Sequence, residues 1–408
     1  MREEQEEIVV SGKHLKLRIA LFIVAVVVGV TAFAIGFYQL SNRKPGYYEI
    51  TAPKNDEVPL YANGLQCHLY LTGSSSEIKE QLRRAEEVYA ESLGRAYRLF
   101  DADTMYDGYV NLATLNARAG EDVALPVELY TVLNDSVAVA ERFDYSPYDT
   151  VLQRMWEQLR YLEDPAPYDP LRSADEQARF AQIAALLQLP DSVYMEVVDE
   201  ASHTVCLHVS QQLRDAMTEL EIESPYWDLG VLREAYILRY VSGKLKAAGF
   251  TAGYLATETG LHLLLPDTET ASVTVLTQRD GKAAPAAELT LAGGDACCIL
   301  RSFAAADEVG YYAIDGVLRH PHLTRSGEPN SELLTAWALM DDGNIVHAAA
   351  AVRALYASPL SEATVRLSTF ANGRSYAALI AVDAPETIRA EAPEGAIKPA
   401  DGMYVTAP

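Results

Sequence analysis

Residues 320–329 read His-Pro-His-Leu-Thr-Arg-Ser-Gly-Glu-Pro, and the fold turns on how this stretch is interpreted. His320 and His322, two apart, could face one side of a strand and look like half a metal site. No paired carboxylate accompanies them in the sequence, so they read as a loop-edge pair and not as zinc ligands. Gly327 suits a backbone conformation that side chains resist. Arg325 offers a guanidinium fork that fits a phosphate or a carboxylate through two parallel hydrogen bonds.

Moving outward toward the C-terminus, Asp341-Asp342-Gly343-Asn344 is a turn between a strand and a helix near Ile345 to Tyr356. A strand pair, Val365 to Phe370 and Tyr376 to Val382, is expected next. Residues 384–408, rich in Pro, Glu and Gly, are expected to be poorly ordered. Upstream, 271–314 carries short β segments with Gly and Asp at the turns. A helix over about Val231 to Ala248 stops at Gly249, and Val193 to Val209 reads as two strands. Helices are also expected over Ser173 to Leu187, after Pro126, and from about Glu77 to Leu99, where Ile78, Leu82, Ala85, Tyr89 and Leu93 share a face. Leu65 to Leu71 alternates and should be the first strand. The mixture predicts an α+β fold, helices on a mostly antiparallel sheet, over 61–383.

The chain has 408 residues, 33 Lys+Arg against 57 Asp+Glu, and a net charge of −24. A chain so acidic, without a basic stripe, is no nucleic-acid binder. Residues 1–18 form a short tail, and Ile19 to Leu40 is an uncharged run of 22 residues. As a helix it would extend about 33 Å, enough for a single transmembrane span, with Phe37 and Tyr38 at the interface. Residues 41–60, with Pro45, Pro53 and Pro59, read as a linker. A cell-membrane protein with its C-terminal domain outside is expected. Cys67, Cys206, Cys297 and Cys298 are too few for a disulfide scaffold and read as small core residues.

No phosphate loop, GxGxxG, HExxH or GxSxG occurs. Several stretches, in order, instead resemble the ApbE-like family, the FAD:protein FMN transferases. They are Asn111 to Leu133 (NLATLNARAGEDVALPVELYTVL), Phe143-Asp144, Trp156, Asp228-Leu229-Gly230 with Leu245-Lys246-Ala247-Ala248-Gly249, and the 320–329 stretch itself. That stretch is similar to the family's His-x-x-Asp-Pro-Arg-Thr-Gly-x-Pro. The resemblance implies an ApbE-like α+β domain and a cleft edged by Asn116, Asp144, Asp228, Gly230, His320, Arg325 and Gly327. It also implies a magnesium ion bridging the FAD diphosphate while FMN passes to a Thr or Ser hydroxyl of a partner protein.

Magnesium needs hard oxygen ligands, and at the matched positions these are exchanged. His347 and Ala351 stand where the family has Asp and Thr beside the metal. Glu234 replaces a Lys at the helix that should cradle phosphate. Arg239 replaces a later Asp, and Thr259-Gly260-Leu261, Ile299-Leu300-Arg301 and Leu323-Thr324 replace further flavin-site motifs. These exchanges predict a degenerate, non-catalytic member that binds a ligand or a partner. The alternatives are an active, divergent magnesium-dependent transferase using Asp295, Asp341 or Asp342, and a generic cell-surface interaction module.

Overall fold

Strand Leu333–Met340 (LLTAWALM) is apolar at nearly every position, and all eight residues are buried. Such a strand must be covered on both faces, and the rest of the fold supplies the covers. In the computed structural model, residues 21–32, 43–51, 64–230, 232–304 and 311–408 are described. Contacts divide the chain into two units, 1–46 with 71–84, and 47–70 with 85–408. In the first, the described residues 21–32 are helical and the Arg43 amide donates to Ser75 Oγ at 3.1 Å.

Among the described residues the main sheet has nine strands: β1 (Gly46–Glu49), β2 (Leu65–Leu71), β3 (Gly253–Thr257), β4 (Leu261–Leu264), β5 (Ala296–Arg301), β6 (Leu333–Met340), β7 (Tyr376–Ala381), β8 (Thr387–Ala390) and β9 (Tyr404–Thr406). They lie side by side in that order. Pairing is antiparallel from β2 through β8, and parallel between β8 and β9.

The helices are α1 (Ser75–Phe100), α2 (Leu112–Ala117), α3 (Val127–Phe143), α4 (Thr150–Leu159), α5 (Ala174–Leu187), α6 (Gln211–Glu219), α7 (Leu232–Ala247), α8 (Ile345–Ala357) and α9 (Leu360–Phe370). The Ala-rich α8 packs on β5 and β6, its small side chains permitting close approach and its alanines favouring helix. A three-stranded sheet of Ala271–Arg279, Lys282–Leu291 and Ile397–Pro399 covers the opposite face, around Cys297, Trp337, Leu339 and Tyr376. Thr335 Oγ1 donates to the Leu276 carbonyl at 2.7 Å between the two layers. All four cysteines are buried and free.

Three expectations are corrected. Val365 to Phe370 is not a strand but part of α9, because Leu360, Ala363 and Leu367 recur at helical spacing and the latter two are buried. Residues after Ala384 are not a loose tail. They supply β8, β9 and Ile397–Pro399, and Ile388, Ala390, Ile397 and Met403 join the core. Gly46–Glu49, inside the expected linker, is the sheet's first strand. The tail 1–18, ten of the 22 residues of the expected span Ile19–Leu40 and eleven of the 20 in the expected linker lie outside the described residues. Among the described residues no helix is long and apolar enough to cross a membrane.

Ile388 is fully buried in the core cluster. Ile388→Ala should therefore cost about 2–5 kcal/mol in urea unfolding of the purified protein, whereas a disordered tail would show no change.

Candidate functional site

A cavity of 1020 Å³ opens between α4, the loop before α7, the β3–β4 hairpin and the end of β5. Asn116 sets up its rim from below. Its Nδ2 donates to the Trp227 carbonyl at 2.8 Å, and its Oδ1 accepts from the Trp227 amide at 2.9 Å. With that backbone clamped and the Trp227 ring fully buried, Asp228 is delivered to the cavity wall. The Asp228 amide donates to Thr150 Oγ1 at 3.2 Å, and Asp228 Oδ1 accepts from the Gly230 amide at 3.3 Å. Gly230 turns the chain at φ +54°, where a Cβ would sit 3.0 Å from Gln153 Oε1. A side chain there would be strained twice, by backbone and by contact.

Arg154 of α4 is shared by three carboxylates at this wall: Asp103 at 2.6 Å, Asp228 at 2.9 Å and Glu157 at 3.6 Å. One guanidinium cannot neutralise three acids. Burial pushes the Glu157 carboxyl above its usual range; Arg154 opposes that, and Asp228 and Asp103 add to it. Glu234, in the first turn of α7, accepts a hydrogen bond from Thr259 Oγ1 on the hairpin. Its carboxyl too is raised, chiefly by desolvation. Arg233 stacks over the Tyr97 ring at 5.3 Å. Among the described residues lining the cavity, six are carboxylates and four are arginines.

His322 lines the inner wall, its Nε2 3.1 Å from the Tyr311 hydroxyl, its ring 4.7 Å from Tyr356. Burial drives the His322 imidazole far below its usual pKa, and the His320 imidazole down to about 4. Both stay neutral, as a loop-edge pair packed inward.

Family models and curated proteins give no match to the chain. Solved structures do. The crystal structure of the ApbE protein from Thermotoga maritima covers 86% of this chain and 97% of its own, at 15% identity and a TM-score of 0.57. The flavin transferase ApbE from Vibrio cholerae covers 87% and 97%, at 12% identity and a TM-score of 0.51. The apo flavinyl transferase ApbE from Pseudomonas stutzeri covers 88% and 96%, at 14% and 0.50. This chain has the ApbE-like fold.

Within the ApbE-like domain, the seven expected site residues separate. Asp228 and Gly230 line the cavity, and Asn116 holds the loop that carries them. His320 is buried outside the lining. Gly327 packs against Leu152 and accepts a hydrogen bond from the Trp156 indole at 2.6 Å. Arg325, the expected anion contact, is committed elsewhere: it pairs with Asp144 at 2.6 Å and Glu362 at 3.6 Å, and Arg366 joins both acids. Asp144, 69% exposed at the end of α3, therefore belongs to a surface ion-pair network.

Of the exchanged positions, Glu234, Thr259-Gly260-Leu261 and Ile299-Leu300-Arg301 line the cavity, whereas Arg239 and Leu323-Thr324 lie outside its lining. So do His347 and Ala351. The His347 ring lies 5.5 Å from Phe143, and Ala351 is fully buried. Asp295 and Asp341 are held by Arg374, through its side chain at 2.8 Å and its amide at 3.0 Å respectively. Asp342 accepts from the Asn344 amide at 2.9 Å. Among the described residues no group of three His, Cys, Asp or Glu is placed to hold a metal. Sequence reading missed Arg154, Glu157 and Tyr97; only the i, i+3 spacing of the first two hinted at a shared helix face.

A carboxyl whose pKa is raised on folding leaves the native state at a disadvantage once pH passes the unfolded value. Glu234→Gln keeps an acceptor for Thr259 and removes that charge. The variant is expected to gain stability over the parent at pH 7, with the gain shrinking toward pH 4, as read by urea midpoints across that range. A gain independent of pH would refute the burial of a charged Glu234.

Proposed function

We propose that the chain is a membrane-anchored, non-catalytic ApbE-like domain whose cavity binds a small organic ligand lacking a diphosphate. The observation that carries this is the donor set of the wall. A diphosphate is bound where backbone N–H groups, a Lys or Arg and a helix N-terminus converge without competing anions. Here the start of α7 presents Glu234 beside an Arg233 that lies over the Tyr97 ring, and Asp103, Glu157 and Asp228 crowd around Arg154. These residues do not fit a magnesium-bridged diphosphate.

The size of the cavity supports a ligand-binding role over a generic surface module, which has no use for 1020 Å³ of walled space. Tyr97, Tyr161, Tyr311 and Tyr312 supply aromatic surface, and the surplus of carboxylates favours a neutral or cationic occupant. The uncharged run Ile19–Leu40 supports anchoring, and Lys13, Lys16 and Arg18 before it against Arg43 and Lys44 after it favour the domain on the outer side.

The test is a titration of the detergent-solubilised full chain with FAD, with and without Mg²⁺, following flavin fluorescence anisotropy and melting temperature. No saturable Mg²⁺-dependent change is expected. Glu234→Lys should gain measurable affinity for FAD by exchanging repulsion for attraction. Saturable, Mg²⁺-dependent binding by the unmodified chain, with FMN left on a Thr- or Ser-bearing acceptor, would install the active divergent transferase instead.

A further inference from the structure

The three-stranded sheet covers one face of the main sheet over β5 to β7, but the same face is paved differently at its N-terminal edge. The register places Cys297 opposite His262, His262 opposite Ala256, and Tyr254 opposite His68. Strand alternation then puts Tyr254, His68 and Tyr70 on the face that carries Cys297 and Trp337 farther along. The rings are in mutual contact. Tyr47 meets Tyr70 edge-on at 5.1 Å and Tyr254 at 6.3 Å, while His68 stacks on Tyr254 at 4.8 Å. Tyr47 is 51% and Tyr70 42% exposed.

Tyr47 and Tyr70 are exposed, while His68 and Tyr254 beneath them are half-buried and Tyr254 packs against the core, so the two outer rings form an aromatic step on a rigid base that suits an amphipathic surface. Tyr is the side chain of membrane–water interfaces, its ring in the apolar boundary and its hydroxyl in the headgroups. The chain itself limits the distance. Leu40, the end of the uncharged run, precedes Tyr47 by seven residues, a reach of at most about 25 Å even fully extended. Arg43 and Lys44 fall between them, where cations meet phosphate headgroups.

We infer that this aromatic edge, Tyr47 and Tyr70 over His68 and Tyr254, rests on the bilayer interface. The inference depends on the anchoring reading above. It adds a second contact with the lipid, which would orient the domain instead of leaving it on a free tether. With a net charge of −24 the domain would be repelled by anionic lipid, so the surface that suits it is zwitterionic.

The test uses the full chain reconstituted in phosphatidylcholine vesicles, with or without bromine on the upper acyl chain as a contact quencher. Tyr47→Trp and Tyr70→Trp are conservative exchanges at exposed positions, and the native Trp156, Trp227 and Trp337 are buried and give a constant background. Val365→Trp is the control, exposed on α9, which packs on β7 and β8 at the other side of the sheet. The added emission at positions 47 and 70 is expected to fall about two-fold in brominated vesicles, with position 365 unchanged. A chain that floats with the vesicles but is quenched equally at all three positions overturns the inference and leaves the anchor standing. A chain that fails to float overturns both.

Discussion

The structure depends on covering both faces of one strand. Leu333–Met340 carries no polar face to offer to water, so α8 must lie on one side and the Ala271–Leu291 hairpin on the other. This requirement orders what surrounds it. Neighbouring β5 alternates, sending Cys297 into the core under the small sheet and Cys298 to the wall of the cavity. The last residues of the chain are drawn in for the same reason, because the small sheet needs Ile397–Pro399 as a third strand and the main sheet needs Ile388 beside Ile380.

Much of this was written in the sequence. Amphipathic spacing and caps placed α1, α5 and α7 within a residue or two of where they lie, and Ser173 caps α5 as its chemistry suggests, accepting from the Glu176 amide. The readings that failed did so for physical reasons. Val365, Thr369 and Phe370 raised the β propensity of 365–370, yet the Leu360, Ala363, Leu367 stripe facing β7 decided for helix. The Pro, Glu and Gly of the last residues suggested disorder, while single apolar side chains between them, Ile388, Ile397 and Met403, each found a place in the core. A short strand needs only one or two such anchors, and composition averages them away.

The site was legible to a different degree. Some of the positions that depart from the ApbE-like pattern, Glu234 and the 259–261 and 299–301 segments, come together around one cavity although they are far apart in the chain, while Arg239, Leu323-Thr324, His347 and Ala351 lie outside its lining. The positions that match the pattern are mostly structural: Asn116 clamps a loop, Gly327 packs on Leu152, and Arg325 ties Asp144 to Glu362. A scaffold keeps what holds its backbone in shape. On the proposed reading, the cavity wall was free to change once a diphosphate no longer had to be held there, and three of its acids came to share Arg154.

The central claim concerns charge in that wall, and the most direct measurement is crystallographic. Crystals of the protein grown with saturating FAD and magnesium should show no diphosphate density beside Glu234, whose carboxyl remains on Thr259. Clear density for a nucleotide diphosphate with a coordinated ion in the cavity would contradict the account.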